Sequence, residues 1–176
     1  MIQESVAEAV ATILKVKLTA DPSRRSSDRY TDNIEARALY LQACHMQRTR
    51  TYSGLVKSIE YFQKALNLDR RFAEAFAEMA YSYAALGSFY YVRPNEVMPK
   101  ARDAVLRAME LEPTLSRAHS VLAYIHWAYD WDWQDAEREY KKALALGPGD
   151  ALAQLRYGGY LLQQTVGGSH GAPEKG

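Results

Sequence analysis

The chain has 176 residues, of which 48% are hydrophobic and 24% are charged. These proportions favour a folded domain with a sizeable core over a disordered chain. Twenty-two basic and 21 acidic residues leave a formal net charge of +1, which argues against direct nucleic-acid binding because no overall positive field attracts phosphate. Cys44 is the only cysteine, so an intramolecular disulfide and a cysteine-rich zinc site are both excluded.

The N-terminal segment predicts a separate amphipathic helix followed by a linker. Ile2, Val6, Val10 and Leu14 recur every four residues and place an apolar stripe on one helix face within residues 1–19. Residues 20–32 are polar, charged and interrupted by proline, which is typical of a linker. The apolar stripe needs a surface to cover it.

The linker should lead directly into the first of several paired helices. Asp32 and Glu35 have the spacing of a capping box, which predicts a helix over residues 33–48. Ser53 and Gly54 are expected to open a second helix, which ends near residue 69.

Two further helices are predicted before residue 113. The third should cover residues 72–86 and stop at Gly87, a common C-terminal signal. Asn95 is expected to cap the fourth, with Pro99 accommodated in its first turn. Sustained strand-like alternation of apolar and polar residues does not occur in the sequence, so the predicted fold class is all-α.

A repeat underlies these helices. The tripeptides Leu68-Asp69-Arg70, Leu111-Glu112-Pro113 and Leu146-Gly147-Pro148 are spaced 43 and then 35 residues apart, and a period of this size indicates a helical repeat array. The second helix of each hairpin repeats three packing positions: Ser58, Phe62 and Ala65; Ala101, Val105 and Ala108; Ala136, Tyr140 and Ala143. The first helices match at Phe76, Met79, Ala80 and Tyr83, and at His119, Leu122, Ala123 and His126.

The pattern resembles the tetratricopeptide repeat (TPR) family, whose small residues let paired helices approach and whose aromatic residues fill the space between pairs. The resemblance implies a right-handed superhelix of about three hairpins plus an unpaired C-terminal helix, within a domain of residues 33–163. Residues 164–176, rich in glycine, are expected to be a disordered tail.

The N-terminal helix, the Glu35–Gln42 opening and the run Tyr129-Asp130-Trp131-Asp132-Trp133 also resemble the TPR region that follows a TolB-like domain in bacterial winged-helix or adenylate-cyclase-type regulators. Residues 1–19 would then be a remnant of an upstream domain. Because no apolar run reaches the roughly 18 residues that span a bilayer, we expect a cytoplasmic protein. The alternative is a periplasmic part of a membrane-anchored regulator.

The sequence provides no support for an enzyme. It lacks the glycine-rich phosphate loop, the nucleophile elbow and the zinc-protease motif. His119 and His126 occupy repeat packing positions, so core packing is favoured over metal binding. Asp132 is expected to cap the helix that starts at Trp133, and burial should make Cys44 inert. We therefore predict no catalytic residues, no cofactor and no metal.

An inserted loop before the fourth helix, residues 88–94, carries three aromatic residues. Aromatic side chains are unusual in a loop that contacts only water. The rings are expected to fold back onto neighbouring helices; contact with a partner is the alternative.

The inner groove of the array is the predicted binding site for a protein or peptide segment. A groove that combines aromatic anchors with side chains of both charges suits such a partner. The candidate residues are Glu74, Glu78, Tyr81, Arg117, Ser120, Tyr124, Trp127 and Arg156. Two alternatives remain open. In the first, the N-terminal helix of this chain fills the groove. In the second, the chain is a self-assembly module that forms a homo-oligomer through its N-terminal helix or its last helix.

Overall fold

The structure, a computed structural model, describes residues 31–167 and the side chains of residues 31–164. Within these bounds the chain forms helices and no strand, which confirms the all-α prediction. The helices are α1 (Ile34–Arg48), α2 (Tyr52–Leu68), α3 (Ala73–Ser88), α4 (Pro94–Leu111), α5 (Ser116–Ile125), α6 (Trp133–Leu146) and α7 (Ala151–Gly167). A single π-helical turn, His126–Asp130, follows α5. The predictions for residues 1–30 and 168–176 lie outside the described residues.

The helices pack as three successive pairs, α1 with α2, α3 with α4 and α5 with α6, and α7 follows as the predicted additional helix. First helices also contact one another, α3 with α5 and α5 with α7. The nine predicted packing positions of the second helices are all completely buried: Ser58, Phe62, Ala65, Ala101, Val105, Ala108, Ala136, Tyr140 and Ala143. The pairing and the burial are consistent with the resemblance to tetratricopeptide repeats. In the described part of the chain, no helix combines the length and apolarity that crossing a bilayer requires.

Side-chain caps define the starts of α1, α2, α6 and α7, the last through Asp150, whose Oδ1 accepts from the backbone N–H groups of Leu152 and Ala153. The starts of α1 and α2 differ from the prediction. Asn33, rather than Asp32, caps α1, because its Oδ1 accepts a hydrogen bond from the backbone N–H of Ala36 at 3.0 Å. Thr51 caps α2 in the same way, so that helix starts one residue before the predicted Ser53. Asp132 caps α6 as predicted.

The ends of the helices around the inserted loop also differ from the prediction. Helix α3 continues through Gly87 to Ser88, because the role of Gly87 is close packing: an added Cβ would lie 3.0 Å from both Met98 and Val97. Helix α4 begins at Pro94, whose fixed φ suits the first helical position. Asn95 is therefore not its cap, and Pro99 lies beyond the first turn.

Helix α7 extends to Gly167, past the predicted domain boundary at residue 163. Gln163, Gln164, Thr165 and Val166 contain no helix-breaking residue, so the helix continues until the first glycine of the following run. The part of the predicted disordered tail from residue 164 to residue 167 is thus helical.

The turn inside each hairpin contains a residue other than glycine in the left-handed conformation. These residues are Arg50 (φ 53°), Tyr90 (φ 57°) and Trp131 (φ 57°), and the conformation costs about 1 kcal/mol for each. In the inserted loop, Tyr91 folds back as expected and donates a hydrogen bond from its hydroxyl to the carbonyl of Arg50 at 3.2 Å. Tyr90 instead remains 84% exposed.

Candidate functional site

The predicted groove residues lie on the first helices of successive hairpins. Glu74, Glu78 and Tyr81 belong to α3, Arg117, Ser120 and Tyr124 to α5, Trp127 to the π-helical turn and Arg156 to α7. We call the surface that these helices share the inner face. Contacts described below link seven of the eight residues there, and Glu74 lies on α3 one turn before Glu78.

A buried ion pair joins α7 to α3. Arg156 donates from Nη2 to both carboxylate oxygens of Glu78, at 3.0 and 3.2 Å, and from Nη1 to the hydroxyl of Ser120 at 3.0 Å. Its guanidinium also lies 4.2 Å from the ring centroid of Tyr81, a cation–π geometry. Arg156 on α7 therefore contacts three other predicted residues, on α3 and α5, directly.

Arg117 extends this network to α1 and to the start of α7. Its Nε lies 3.3 Å from Glu78 Oε1 and 3.6 Å from Asp150 Oδ2, and its Nη1 donates to the Tyr40 hydroxyl at 2.7 Å. Two guanidinium groups thus face two carboxylates, and their formal charges cancel. Tyr40 and Asp150 were absent from the sequence prediction; Tyr40 is 77 residues away from Arg117, a separation at which no local pattern reveals a contact.

Aromatic rings continue the inner face toward the C-terminal end. The ring centroids of Tyr81 and Tyr124 are 5.4 Å apart, those of Tyr124 and Trp127 are 5.5 Å apart, and those of Trp127 and Tyr160 are 6.3 Å apart. All three pairs are edge-to-face, the arrangement that aromatic quadrupoles favour. Tyr160 was likewise not predicted, although its position one turn after Arg156 places it on the same side of α7.

Burial divides the eight predicted residues into two groups. Tyr81, Arg117 and Trp127 remain partly accessible. The other five are buried: Glu74, Glu78, Ser120, Tyr124 and Arg156. The buried charges pair inside the chain because the long side chains of Arg117 and Arg156 reach the carboxylate of Glu78, which leaves that carboxylate inaccessible to a partner in this conformation.

Glu74 lines a separate depression of about 520 Å³ at the start of α3. Its walls come from the residues before α1 and from the ends of α2 and α4, including Asn33, Phe72 and Leu111. Glu74 is itself buried, so it contributes to the packing around this depression.

Titratable groups beside the network hold their protons at neutral pH. Burial, together with the negative charge of Glu78, raises the pKa of Cys44 to about 11. Burial likewise raises the pKa of Tyr124 to about 12 and that of Tyr40 well above its usual range. A protonated thiol is a poor nucleophile and a poor metal ligand, so Cys44 supplies neither chemistry.

Both predicted packing histidines bind carboxylates of the chain. His119 is completely buried, with Nδ1 2.7 Å from Glu139 Oε2 and Nε2 2.9 Å from the carbonyl oxygen of Pro113. His126 Nδ1 lies 2.8 Å from Asp130 Oδ2, which also accepts a hydrogen bond from Arg102. Among the described residues, no group of three or more His, Cys, Asp or Glu side chains is placed to hold a metal.

Comparison with known proteins gives a partial similarity. Over 83 residues, 47% of this chain, the sequence is 32% identical to the type IV pilus assembly protein PilF of Pseudomonas aeruginosa. The chain spans about a third of the length of that protein, since the similar stretch covers 32% of it. No protein-family model matches the sequence.

Proposed function

We propose that the chain is a non-catalytic protein-binding module whose inner face holds a peptide segment of a partner protein. The supporting observation is the row of partly accessible side chains, Tyr81, Arg117 and Trp127, above a buried layer. That layer consists of Glu78, Ser120, Tyr124 and Arg156, and we call it the floor. Aromatic residues and arginine dominate the binding energy of protein interfaces, and fixed neighbours reduce the entropy that such residues lose on binding.

The floor determines which kind of segment suits this face. Because the positive charges of Arg117 and Arg156 are matched by the carboxylates of Glu78 and Asp150, a strongly charged segment gains little from these residues. An apolar or aromatic side chain of the partner that packs between Tyr81 and Trp127 would contribute most to the binding free energy. We therefore expect a segment with one apolar anchor and polar flanks.

Two biological settings suit such a module. The resemblance to regions that follow TolB-like domains supports a place in a bacterial regulatory protein. The similarity to a pilus assembly protein supports a role in assembling a protein complex. Both settings require the same peptide-binding face, so one binding experiment tests the common part of the proposal.

The experiment begins with selection of peptides from a random phage-displayed library against the full chain, and affinities are then measured by fluorescence anisotropy. Tyr81→Ala and Trp127→Ala should each weaken a selected peptide by at least about tenfold, as expected for interface hot spots. Tyr52→Ala is the matched control, because Tyr52 is a half-exposed aromatic residue at the start of α2; it should change affinity less than twofold. Peptides that bind all three variants equally would reject the inner face as the site.

A further inference from the structure

Helix α7 presents an exposed apolar stripe at the C-terminal end of the inner face. Leu155 and Leu162 are 60% and 65% exposed, and Gly158 and Gly159 lie between them in the sequence. Residues at positions i, i+3, i+4 and i+7 share one side of a helix. These four residues, which we call the α7 stripe, therefore form a continuous surface.

The preceding first helices show what such a side normally contacts. The residues of α3 and α5 that correspond to Gly158 are Ala80 and Ala123, and both are completely buried; Ala123 packs in one cluster with Ala136 and Tyr140 of α6. At Gly158 and Gly159, by contrast, an added Cβ would meet no atom of another described helix within 4 Å.

Two adjacent glycines inside a helix destabilise it by about 1 kcal/mol each relative to alanine. Packing among the described residues does not require them, since alanine would fit at both positions. Close approach of another backbone is a physical reason for glycine at a helix surface. The leucines on either side supply apolar area for such a contact.

The sequence of α7 is partly self-complementary about the Gly158–Gly159 bond. Reading outward from the Gly158–Gly159 bond, the pairs are two tyrosines, an arginine with a leucine, two leucines and two glutamines. The outer pairs, Leu155 with Leu162 and Gln154 with Gln163, are exposed at both members. A two-fold symmetric interface uses the same patch on both copies, so that if residue i of one copy contacts residue j of the other, residue j of the first also contacts residue i of the second.

We propose that α7 packs antiparallel against α7 of a second copy, with the two-fold axis between Gly158 and Gly159. Leu155 of each copy then packs on Leu162 of the other, and the amides of Gln154 and Gln163 hydrogen-bond at the two ends. The glycines let the two helix axes approach closely at the crossing point. Leu155, Gly159 and Leu162 occupy the repeat positions of Ser120, Tyr124 and Trp127, so the dimer contact covers the α7 end of the inner face. The dimer variants lie on α7 and the peptide-binding variants on α3 and the π-helical turn, so the two proposals can fail separately.

The dimer is tested by sedimentation equilibrium of the full chain across a range of concentrations. Leu155→Glu and Leu162→Glu should each raise the dimer dissociation constant by at least about tenfold, because each buries carboxylates in an apolar contact. Leu41→Glu is the matched control, because Leu41 on α1 is 59% exposed; its dissociation constant should stay within twofold of the parent value. A chain that is monomeric at all concentrations, or a dimer that both stripe variants leave intact, would overturn the proposal.

Disulfide cross-linking tests the antiparallel direction. Leu155→Cys and Leu162→Cys are made separately in a Cys44→Ala background whose fold is verified by circular dichroism, then mixed and oxidised mildly. Antiparallel packing predicts mixed cross-links between the two variants. Two copies of residue 155 would lie about 10 Å apart along the axis, beyond the Cα separation of about 7 Å that a disulfide can bridge. Predominant cross-linking of each variant with itself would overturn the proposal.

Discussion

Replacement of Glu78 by alanine is the most direct test of the buried network. The substitution leaves two guanidinium groups, those of Arg117 and Arg156, without the carboxylate they share. Breaking a buried ion pair by removing one partner costs about 3–5 kcal/mol. Asp150 partly compensates Arg117, at 3.6 Å, so we expect a loss near the lower end, about 3 kcal/mol. That is a large share of the total of about 5–15 kcal/mol by which domains are stable.

Glu110→Ala is the matched control, because Glu110 pairs with Arg107 at 2.7 Å but both side chains are more than half exposed. Its cost should be below about 1 kcal/mol. Urea unfolding followed by circular dichroism gives both free energies. Added salt should reduce the small loss of stability caused by Glu110→Ala and leave the large loss caused by Glu78→Ala nearly unchanged.

A double variant, Glu78→Leu with Arg156→Leu, should recover part of the loss because it removes the unpaired charge as well as the pair. If Glu78→Ala costs no more than Glu110→Ala, the Glu78 carboxylate is not buried between the two arginines, and the floor described above is wrong.

Three further predictions concern single groups. Tyr140→Phe should raise the free energy of unfolding by about 1 kcal/mol, since the buried Tyr140 hydroxyl has no hydrogen-bond partner among the described residues; a loss of stability in urea unfolding would show that this hydroxyl is bonded. Burial raises the pKa of Cys44 and Tyr124 to about 11 and about 12, above their ordinary values of 9.0 and 10.0. The native state therefore holds these protons more tightly, and the urea midpoint should be constant up to about pH 9 and fall as pH rises toward 12; a midpoint that is flat over this interval would contradict the burial. Tyr90→Gly should be more stable than Tyr90→Ala by about 1 kcal/mol, because only glycine relieves the left-handed backbone, and equal melting temperatures for the two variants would show that the turn carries no strain.

Most of the fold follows from local patterns. The small and aromatic residues at repeated positions of the second helices, such as Ala101, Val105 and Ala108, were predicted to be buried and are. They are identifiable because burial at helical spacing depends on neighbours within one hairpin. The cap at Asp132 is local in the same sense.

The errors arise where distant residues determine the outcome. Gly87 was predicted to end a helix, but glycine is required there because Met98 and Val97 pack closely against it. The cap of α1 is a local exception: Asp32 and Asn33 are adjacent and both good caps, and the one that bonds Ala36 is Asn33. The inner-face charges were interpreted as partner contacts because the reach of Arg156 to Glu78, across 78 residues of sequence, depends on how the hairpins stack.

The ties between alternate first helices also bear on how the array unfolds. In repeat proteins stability is approximately a sum over units and their nearest neighbours, so terminal units fray first. Here Arg156 on α7 bonds Glu78 on α3, and Arg117 on α5 bonds Tyr40 on α1, and each bond passes beyond the adjacent hairpin. Fraying of either end must break a contact in the middle of the chain, which links the described hairpins into one cooperative unit.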